Sequence, residues 1–409
     1  MALTDTDTGT GRTGTFASFG VEHFALVYLS GWIFSTARWG LGFLAAYVVN
    51  DLTGSPRLVQ LTGTFMWGPL LFAGLIGGAL SDRFDRKRLV MAMFGLMVPL
   101  TTLMGMLALG GRLKAWMIMP FMLVVGFGWV VDMTARRALV FDLVGAEHLN
   151  NAMALEMVST SIGLATGALI GGSVIQFLGV GQAYLVIAAG IVAATLLMVP
   201  VPATDPTDQI DREPFLASLA EGFRALPANR TLVSILGVTV VADFFHFSYT
   251  PIVQVIAERV GATPFLTGLL AAGAGFGMML ASLWVAWAEP HRGKVYVFGT
   301  VAAFIFIIGF AQFTSYIGVF ISLLLASLAF GLFGATQGAL VMSVASDEMR
   351  GRAMGLLSMA IGALPVGMYV LGELAEAIGA PNAVTAFNLT GLVLLVLWLI
   401  KRPQTLSTR

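Results

Sequence analysis

Apolar runs of about twenty residues, the length that crosses the hydrocarbon core of a bilayer, recur along the whole chain with short polar turns between them. Twelve such segments are predicted, at 24–50, 58–81, 89–110, 115–137, 149–177, 181–200, 231–257, 264–288, 295–314, 317–342, 352–378 and 383–401. Their even number puts both ends of the chain on one side. A single long polar stretch, 201–230, divides them six and six. Its first part, Pro202 to Pro214, has the prolines and alternating acids of a linker. Its second part spaces Phe215, Leu216, Leu219 and Phe223 as on one helix face, which predicts either an amphipathic helix on the membrane surface or a cap over helix ends. The organisation read from the pattern is a disordered tail at 1–20, a six-helix half at 21–200, the linker at 201–230, a second six-helix half at 231–402 and a short tail at 403–409.

The halves repeat. Ala138-Leu139-Val140, Glu147 and Ala152-Met153 realign with Ala339-Leu340-Val341, Glu348 and Ala353-Met354 at a constant offset. Asn50 to Pro56 resembles Glu258 to Pro264, and the loop around Asp82 falls opposite Glu289 to Lys294. Two six-helix units in the same orientation imply a pseudo-two-fold axis along the membrane normal. The fold class is therefore all-α and polytopic, with twelve transmembrane helices in two pseudo-symmetric bundles.

Composition agrees: 57% of residues are hydrophobic, 11% are charged and mean hydropathy is +0.88, outside the range of soluble domains. Zero net charge gives no footprint for a nucleic-acid partner. Cysteine is absent, so no thiolate metal site or disulfide framework exists. The start of the chain has no pattern of a cleavable signal peptide. No nucleotide-binding loop or soluble domain suggests an enzyme.

Between the second and third segments lies Gly78-Ala79-Leu80-Ser81-Asp82-Arg83-Phe84-Asp85-Arg86-Lys87-Arg88, a charged turn that hydrocarbon cannot hold. Seventeen of the 22 Lys and Arg fall on the side of this turn, which predicts that this side, with both termini, is cytoplasmic. The turn resembles the signature loop of the major facilitator superfamily, with Asp85 where glycine is usual. Asp132 to Val140, followed by Glu147, Leu149, Asn151 and Ala152, is similar to the fourth-to-fifth helix junction of its siderophore, macrolide and multidrug exporters.

The resemblance implies a two-bundle transporter, acting as a monomer on a small molecule in the lipid bilayer, without cofactor; compact loops, absent Cys and a short tail suggest a prokaryotic inner or cytoplasmic membrane. It implies that Asp82 faces the start of the eleventh helix near Arg350 and Arg352, where free backbone N–H groups favour an anion. There it locks the halves on the cytoplasmic side, and Arg83, Arg86, Lys87 and Arg88 pair with Asp142, Glu147, Asp347 or Glu348 or simply enforce topology. Gly163, Gly167, Gly171 and Gly172 on the fifth helix resemble an antiporter signature, with Ala168 in place of its proline. That likeness implies export, and the spacing alone implies close helix packing.

Helices one, four, seven and ten line the cavity in this superfamily. The resemblance thus directs attention to Arg38, Asp132, Asp243 and His246, with Trp32, Trp39, Trp129, Phe244, Phe247, Tyr249 and Gln337 around them. Ionisable groups at membrane depth are functional candidates by default. Arg38 and Asp243 sit near the middle of equivalent helices, so a charge pair across the cavity is expected, either gating or merely structural. Asp132 and Arg136, four apart, are placed to satisfy one another. Glu156, about one turn beyond Ala152, is suited to taking up a proton or to pairing with Arg136 or Arg137, and is not expected to contact cargo. Asp243 and His246 have the i, i+3 spacing of a weak divalent-metal site, and His246 is equally suited to proton coupling or a structural hydrogen bond. The reading is a secondary transporter that exports a small organic molecule, a drug, siderophore or secondary metabolite, with the proton as coupling ion. The alternatives are an importer or uniporter of an anionic metabolite, a divalent-metal exporter, and a non-transporting scaffold.

Overall fold

The computed structural model describes residues 17–72, 84–203, 224, 226, 229–346 and 349–408. Helix α1 is Phe24–Thr53, and α2 starts at Pro56, runs to Trp67 and continues as a tighter 3-10 turn over Gly68–Phe72. The N-terminal half continues with α3 Arg86–Leu109, α4 Ala115–Gly145, α5 Glu147–Leu178 and α6 Val180–Met198. The C-terminal half holds α7 Arg230–Arg259, α8 Pro264–Ala288, α9 Arg292–Gln312, α10 Tyr316–Val344, α11 Arg350–Ile378 and α12 Ala380–Lys401. All of these except α2 are, as described, long and apolar enough to span a bilayer. The rest of the second predicted segment, including Gly78, Asp82 and Arg83, lies outside the described residues, as do Asp347, Glu348 and most of the linker with its expected surface helix.

The caps show the repeat in physical terms. Ser55 accepts a hydrogen bond from Leu58 N at 3.3 Å ahead of Pro56, and Thr263 accepts from Leu266 N at 3.4 Å ahead of Pro264. Each is a hydroxyl N-cap followed by proline at the first helical position. At the next turn Asp85 caps α3 through Arg88 N, and His291 caps α9 through Lys294 N. Helices α4 and α5 meet with only Gly145 (φ 67°) departing from helical geometry. Two helices of the second half are broken. Helix α7 passes from α-helix into a π-turn over Ala242–His246 and then a 3-10 stretch over Phe247–Ile252, where Pro251 removes a backbone donor. Helix α11 breaks between Ile361 and Leu364, just before Pro365.

Glycines with positive φ, among them Gly54, Gly111, Gly179, Gly261 and Gly379, close turns at one end of the molecule; the Arg- and Lys-rich turns close the other. At the glycine end the halves are joined. Asn50 Nδ2 donates to Glu258 Oε2 at 2.6 Å, Ser55 Oγ to Glu376 Oε2 at 2.7 Å, and Gln60 Nε2 to the Ser248 carbonyl at 3.0 Å. Gly172 of α5 lies against Gly268 of α8: a Cβ there would stand 3.0 Å from Gly268 Cα and closer still to the Pro264 carbonyl. The deepest of these approaches, Ala165 to Gly275 and Leu71 to Gly362, reach about half-way along the helices. Among the described residues the halves therefore meet from the glycine end to mid-depth.

At the basic end two described residues of the charged turn bind within their own half. Arg86 pairs with Asp142 on α4, one of the partners expected for it, and Lys87 donates to the carbonyls of Val199 and Val201 beyond α6. Gly163, Gly167 and Gly171 face α1, where a Cβ on Gly167 would stand 2.8 Å from Gly40 N. Past Lys401 the chain folds back, with Ser234 Oγ 2.6 Å from Thr405 Oγ1 and Gly293 N donating to the Thr408 carbonyl at 3.0 Å.

Candidate functional site

The most unusual side chain in the molecule is Arg38, a guanidinium at the middle of α1 with 2% of its surface exposed. It has no carboxylate partner among the described ion pairs. Its Cζ lies 4.3 Å from the Trp39 ring centroid, 4.5 Å from that of Trp129 and 5.6 Å from that of Trp67. Three indoles from α1, α2 and α4 thus surround one cation, each contributing a quadrupole attraction of about 0.5–2 kcal/mol. That attraction is smaller than the cost of burying a charge, and Nη1 remains buried without a hydrogen-bond partner. The site is held together while leaving one strong donor unsatisfied.

Two hollows meet at this cage. Toward the glycine end an apolar pocket of about 590 Å³ lies between the halves, walled by Trp39, Met66 and Trp67 on one side and Pro251, Gln254 and Ala271 on the other. Toward the basic end a cleft of about 1000 Å³ is lined by Arg38, Trp129, Asp132, Arg136, Arg137 and Glu156. The aromatic edge continues across the interface, since Trp67 meets Phe247 of α7 edge-on at 6.0 Å and Phe247 stacks on Phe330 at 5.0 Å.

Asp132 and Arg136 satisfy one another as their spacing suggested. Arg136 Nη2 lies 2.6 Å from Asp132 Oδ1, Nε adds a second contact at 3.1 Å, and Nη1 donates to the Val27 carbonyl at 3.0 Å. Both are buried, at 6% and 3% exposure. Asp132→Ala strands a buried guanidinium, and we expect a loss of about 3–5 kcal/mol. Thermal unfolding in detergent checks this, and the double variant Asp132→Leu with Arg136→Met should recover most of the loss.

Asp243 and His246 do not line the cleft in this conformation. The π-turn directs them into the C-terminal bundle, and the charge pair expected between Arg38 and Asp243 is not formed. Asp243 faces Gln337, which donates to Thr239 Oγ1 at 3.4 Å, and Thr239 bonds Tyr296 Oη at 2.7 Å. Oδ2 of Asp243 is buried and unpartnered. His246 sits among Tyr249, Phe304 and Phe330, ring centroids 4.9–5.7 Å away, and neither ring nitrogen has a partner. Asn388 is its polar neighbour, but no hydrogen bond closes between them. Among the described residues no group of three or more His, Asp or Glu side chains is placed to hold a metal ion.

Trp32 also lies elsewhere than expected. It lines a groove with Thr36, Thr166, Ile170 and Gly190, between α1, α5 and α6. Six residues from Arg38 is about 120° around an α-helix, which turns Trp32 away from the cage. Trp67, by contrast, belongs to the cage although α2 was not expected to reach the pathway. Its signal was an indole at mid-depth on a helix whose one ionisable residue, Arg57, lies at the far end. Glu156, not expected among the cargo contacts, is in the cleft.

The fold and site have known counterparts. Residues 13–407 match the family described as transmembrane secretion effector. The chain belongs to that family. Relatives of this secretion effector include the enterobactin exporter EntS of Shigella boydii serotype 4 (strain Sb227) and that of Escherichia coli O1:K1 / APEC. Each is 27% identical over 346 residues, covering 81% of this chain and 80% of the relative. Among solved structures, the bacterial homologue of the human lysosomal transporter Spinster, inward-facing and unoccupied, superposes with a TM-score of 0.71 at 15% identity, over 94% of this chain and 96% of that one. A point mutant of the nucleoside transporter NupG does so with a TM-score of 0.75 at 12% identity, over 92% and 99%. The fold is that of the major facilitator superfamily, and the chain is a membrane transporter of that type.

Proposed function

We propose that this secretion effector is a proton-coupled exporter of a small organic molecule of the siderophore class, working by alternating access between its two halves. The observation that carries the reading is the caged Arg38: an unsatisfied guanidinium donor among three indole rings suits an anionic group attached to a partly apolar body. The naming of relatives as enterobactin exporters supports the cargo class. The distribution of Lys and Arg supports a cytoplasmic basic end, the end toward which the cleft lies. Loading then takes place from the cytoplasm through the cleft, and release follows when the contacts at the glycine end part and those at the basic end form.

Proton coupling needs a carboxyl that is buried, unpaired and mechanically connected. Asp243 satisfies the first two conditions through its free Oδ2 and the third through its place in the π-turn of α7. Adding or removing one proton there changes which of Gln337 and the α7 backbone it engages, and so bends α7 against α2 and the cage. Everted membrane vesicles supply the test. Enterobactin should accumulate in them when the lumen is acidified, and Asp243→Asn should reduce accumulation to that of vesicles lacking the protein. Accumulation by Asp243→Asn equal to wild type would remove Asp243 from the coupling path; wild-type accumulation that ignores the gradient would remove proton coupling and favour a uniporter.

A further inference from the structure

Three buried polar atoms in the cleft lack hydrogen-bond partners: the hydroxyl oxygen of Ser35 and one atom from each of two groups of opposite charge. Of the charged groups, one gives Nη1 of Arg38; the other gives Oε1 of Glu156, on the facing helix α5. Both side chains line the same 1000 Å³ space. The charged and titratable neighbours of Glu156 are Arg136, Arg137 and Asp132 from α4 and Tyr28 from α1; Ser159 and Thr160 flank it on its own helix, and Ser35 and Arg38 complete the wall from α1. None of these satisfies it. Arg136 is already engaged by Asp132 and the Val27 carbonyl, and no described ion pair joins Glu156 to Arg137. Thr160 donates its hydroxyl proton to the Glu156 backbone carbonyl at 3.1 Å rather than to the carboxylate.

An acceptor and a donor left open in one cavity, each costly to bury unmade, describe the shape of a missing partner. We propose that the cleft binds a dipolar molecule, whose anionic or acceptor group bonds Arg38 and whose ammonium or amide N–H bonds Oε1 of Glu156. This rests on the reading of Arg38 as the group that meets the cargo, and it adds the second contact and the class of cargo that fits. It also gives the proton a place to compete. An ammonium group and a proton both seek the ionised Glu156 carboxylate and exclude one another, so loading the cleft from a protonated state releases one proton. Cargo binding and proton binding are then opposed, the condition for exchange in an antiporter.

The test reads the tryptophan fluorescence of the purified full-length protein, since Trp39, Trp67 and Trp129 surround the anion-binding atom. Three probes of one size are titrated: 4-(aminomethyl)benzoate, which carries both charges, benzoate, which has only the anion, and benzylamine, which has only the cation. The dipolar probe should quench at a concentration at least about tenfold lower than either single-charge probe, and its binding should tighten as the pH rises, with protons released into weak buffer wherever the empty cleft holds Glu156 protonated. In Glu156→Gln the preference, the pH dependence and the proton release should all vanish while benzoate still binds; Glu156→Asp should retain them in weakened form. Persistence of the preference and pH dependence in Glu156→Gln would overturn the inference alone. Unchanged benzoate binding in Arg38→Ala would overturn the reading of Arg38 on which it rests, and absence of quenching by all three probes in the wild type would overturn both.

Discussion

Arg38→Ala should abolish efflux in a protein that still folds and inserts. The guanidinium makes no ion pair and gives its charge only to three indoles and an open donor position, so removing it leaves no buried carboxylate behind. That is the opposite of the Asp132 case, where the partner is stranded. Transport at low cargo concentration should fall on the order of a hundredfold, the scale of a lost buried charge contact of about 3 kcal/mol. Arg38→Lys should recover little, because an ammonium is a compact point charge without the planar fork of donors that a guanidinium keeps among the indoles. Initial rates of efflux, with surface expression and thermal unfolding measured on the same samples, separate loss of cargo contact from loss of fold. Efflux by Arg38→Ala within a factor of about two of wild type would remove Arg38 from the transport path.

Gly172→Leu should hold the transporter open at the glycine end. In the present arrangement α5 and α8 touch through Gly172 and Gly268, and the Pro264 carbonyl occupies the place of a Cβ. A leucine side chain cannot enter without separating the helices, and the contacts Asn50–Glu258 and Ser55–Glu376 join the same halves at the same end. The equilibrium between the two arrangements therefore shifts away from the one seen here, and cycling stops. The chain has no cysteine, so paired cysteines at Asn50 and Glu258, whose side chains lie 2.6 Å apart, report closure without background. A short bifunctional thiol reagent should cross-link them readily in the parent and by a factor of at least about ten less in Gly172→Leu, the shift produced by some 1.4 kcal/mol. Equal cross-linking in both would show that the Gly172 approach does not control closure.

Much of this architecture could be read from residue pattern because the bilayer constrains it so tightly. Runs of apolar residues place helices, Ser55-Pro56 and Thr263-Pro264 mark equivalent helix starts, and Arg38, Asp132 and Arg136 announce themselves as charges at membrane depth. The partners of those charges followed only where both lay on one helix, as with Asp132 and Arg136, because helical spacing then fixes their separation. Across helices the pattern fixes depth but not rotation. Asp243 and His246 were placed at the right depth yet face the C-terminal bundle, since a π-turn interrupts the α-helical phase at that point and turns the following residues. Trp32 failed for the same reason in reverse: it is near Arg38 in sequence but about a third of a turn away around the helix. Trp67 was missed because an indole on an uncharged segment looks like any other lipid-facing residue until the neighbouring cation is located. Glu156 was visible as a charge, but its lack of a partner is a property of the packed cleft and of no local pattern.

The most direct test of the account is the exchange of proton and cargo across a sealed membrane. Purified protein is reconstituted into liposomes with a pH-sensitive dye inside, and a cargo that everted vesicles accumulate is supplied on the side of the basic end. The account predicts that an imposed proton gradient drives the cargo in the opposite direction, that a cargo gradient alone moves protons the other way, and that both movements are lost together in Arg38→Ala. Cargo that crosses at one rate with and without the proton gradient, with no change in dye signal, would contradict it.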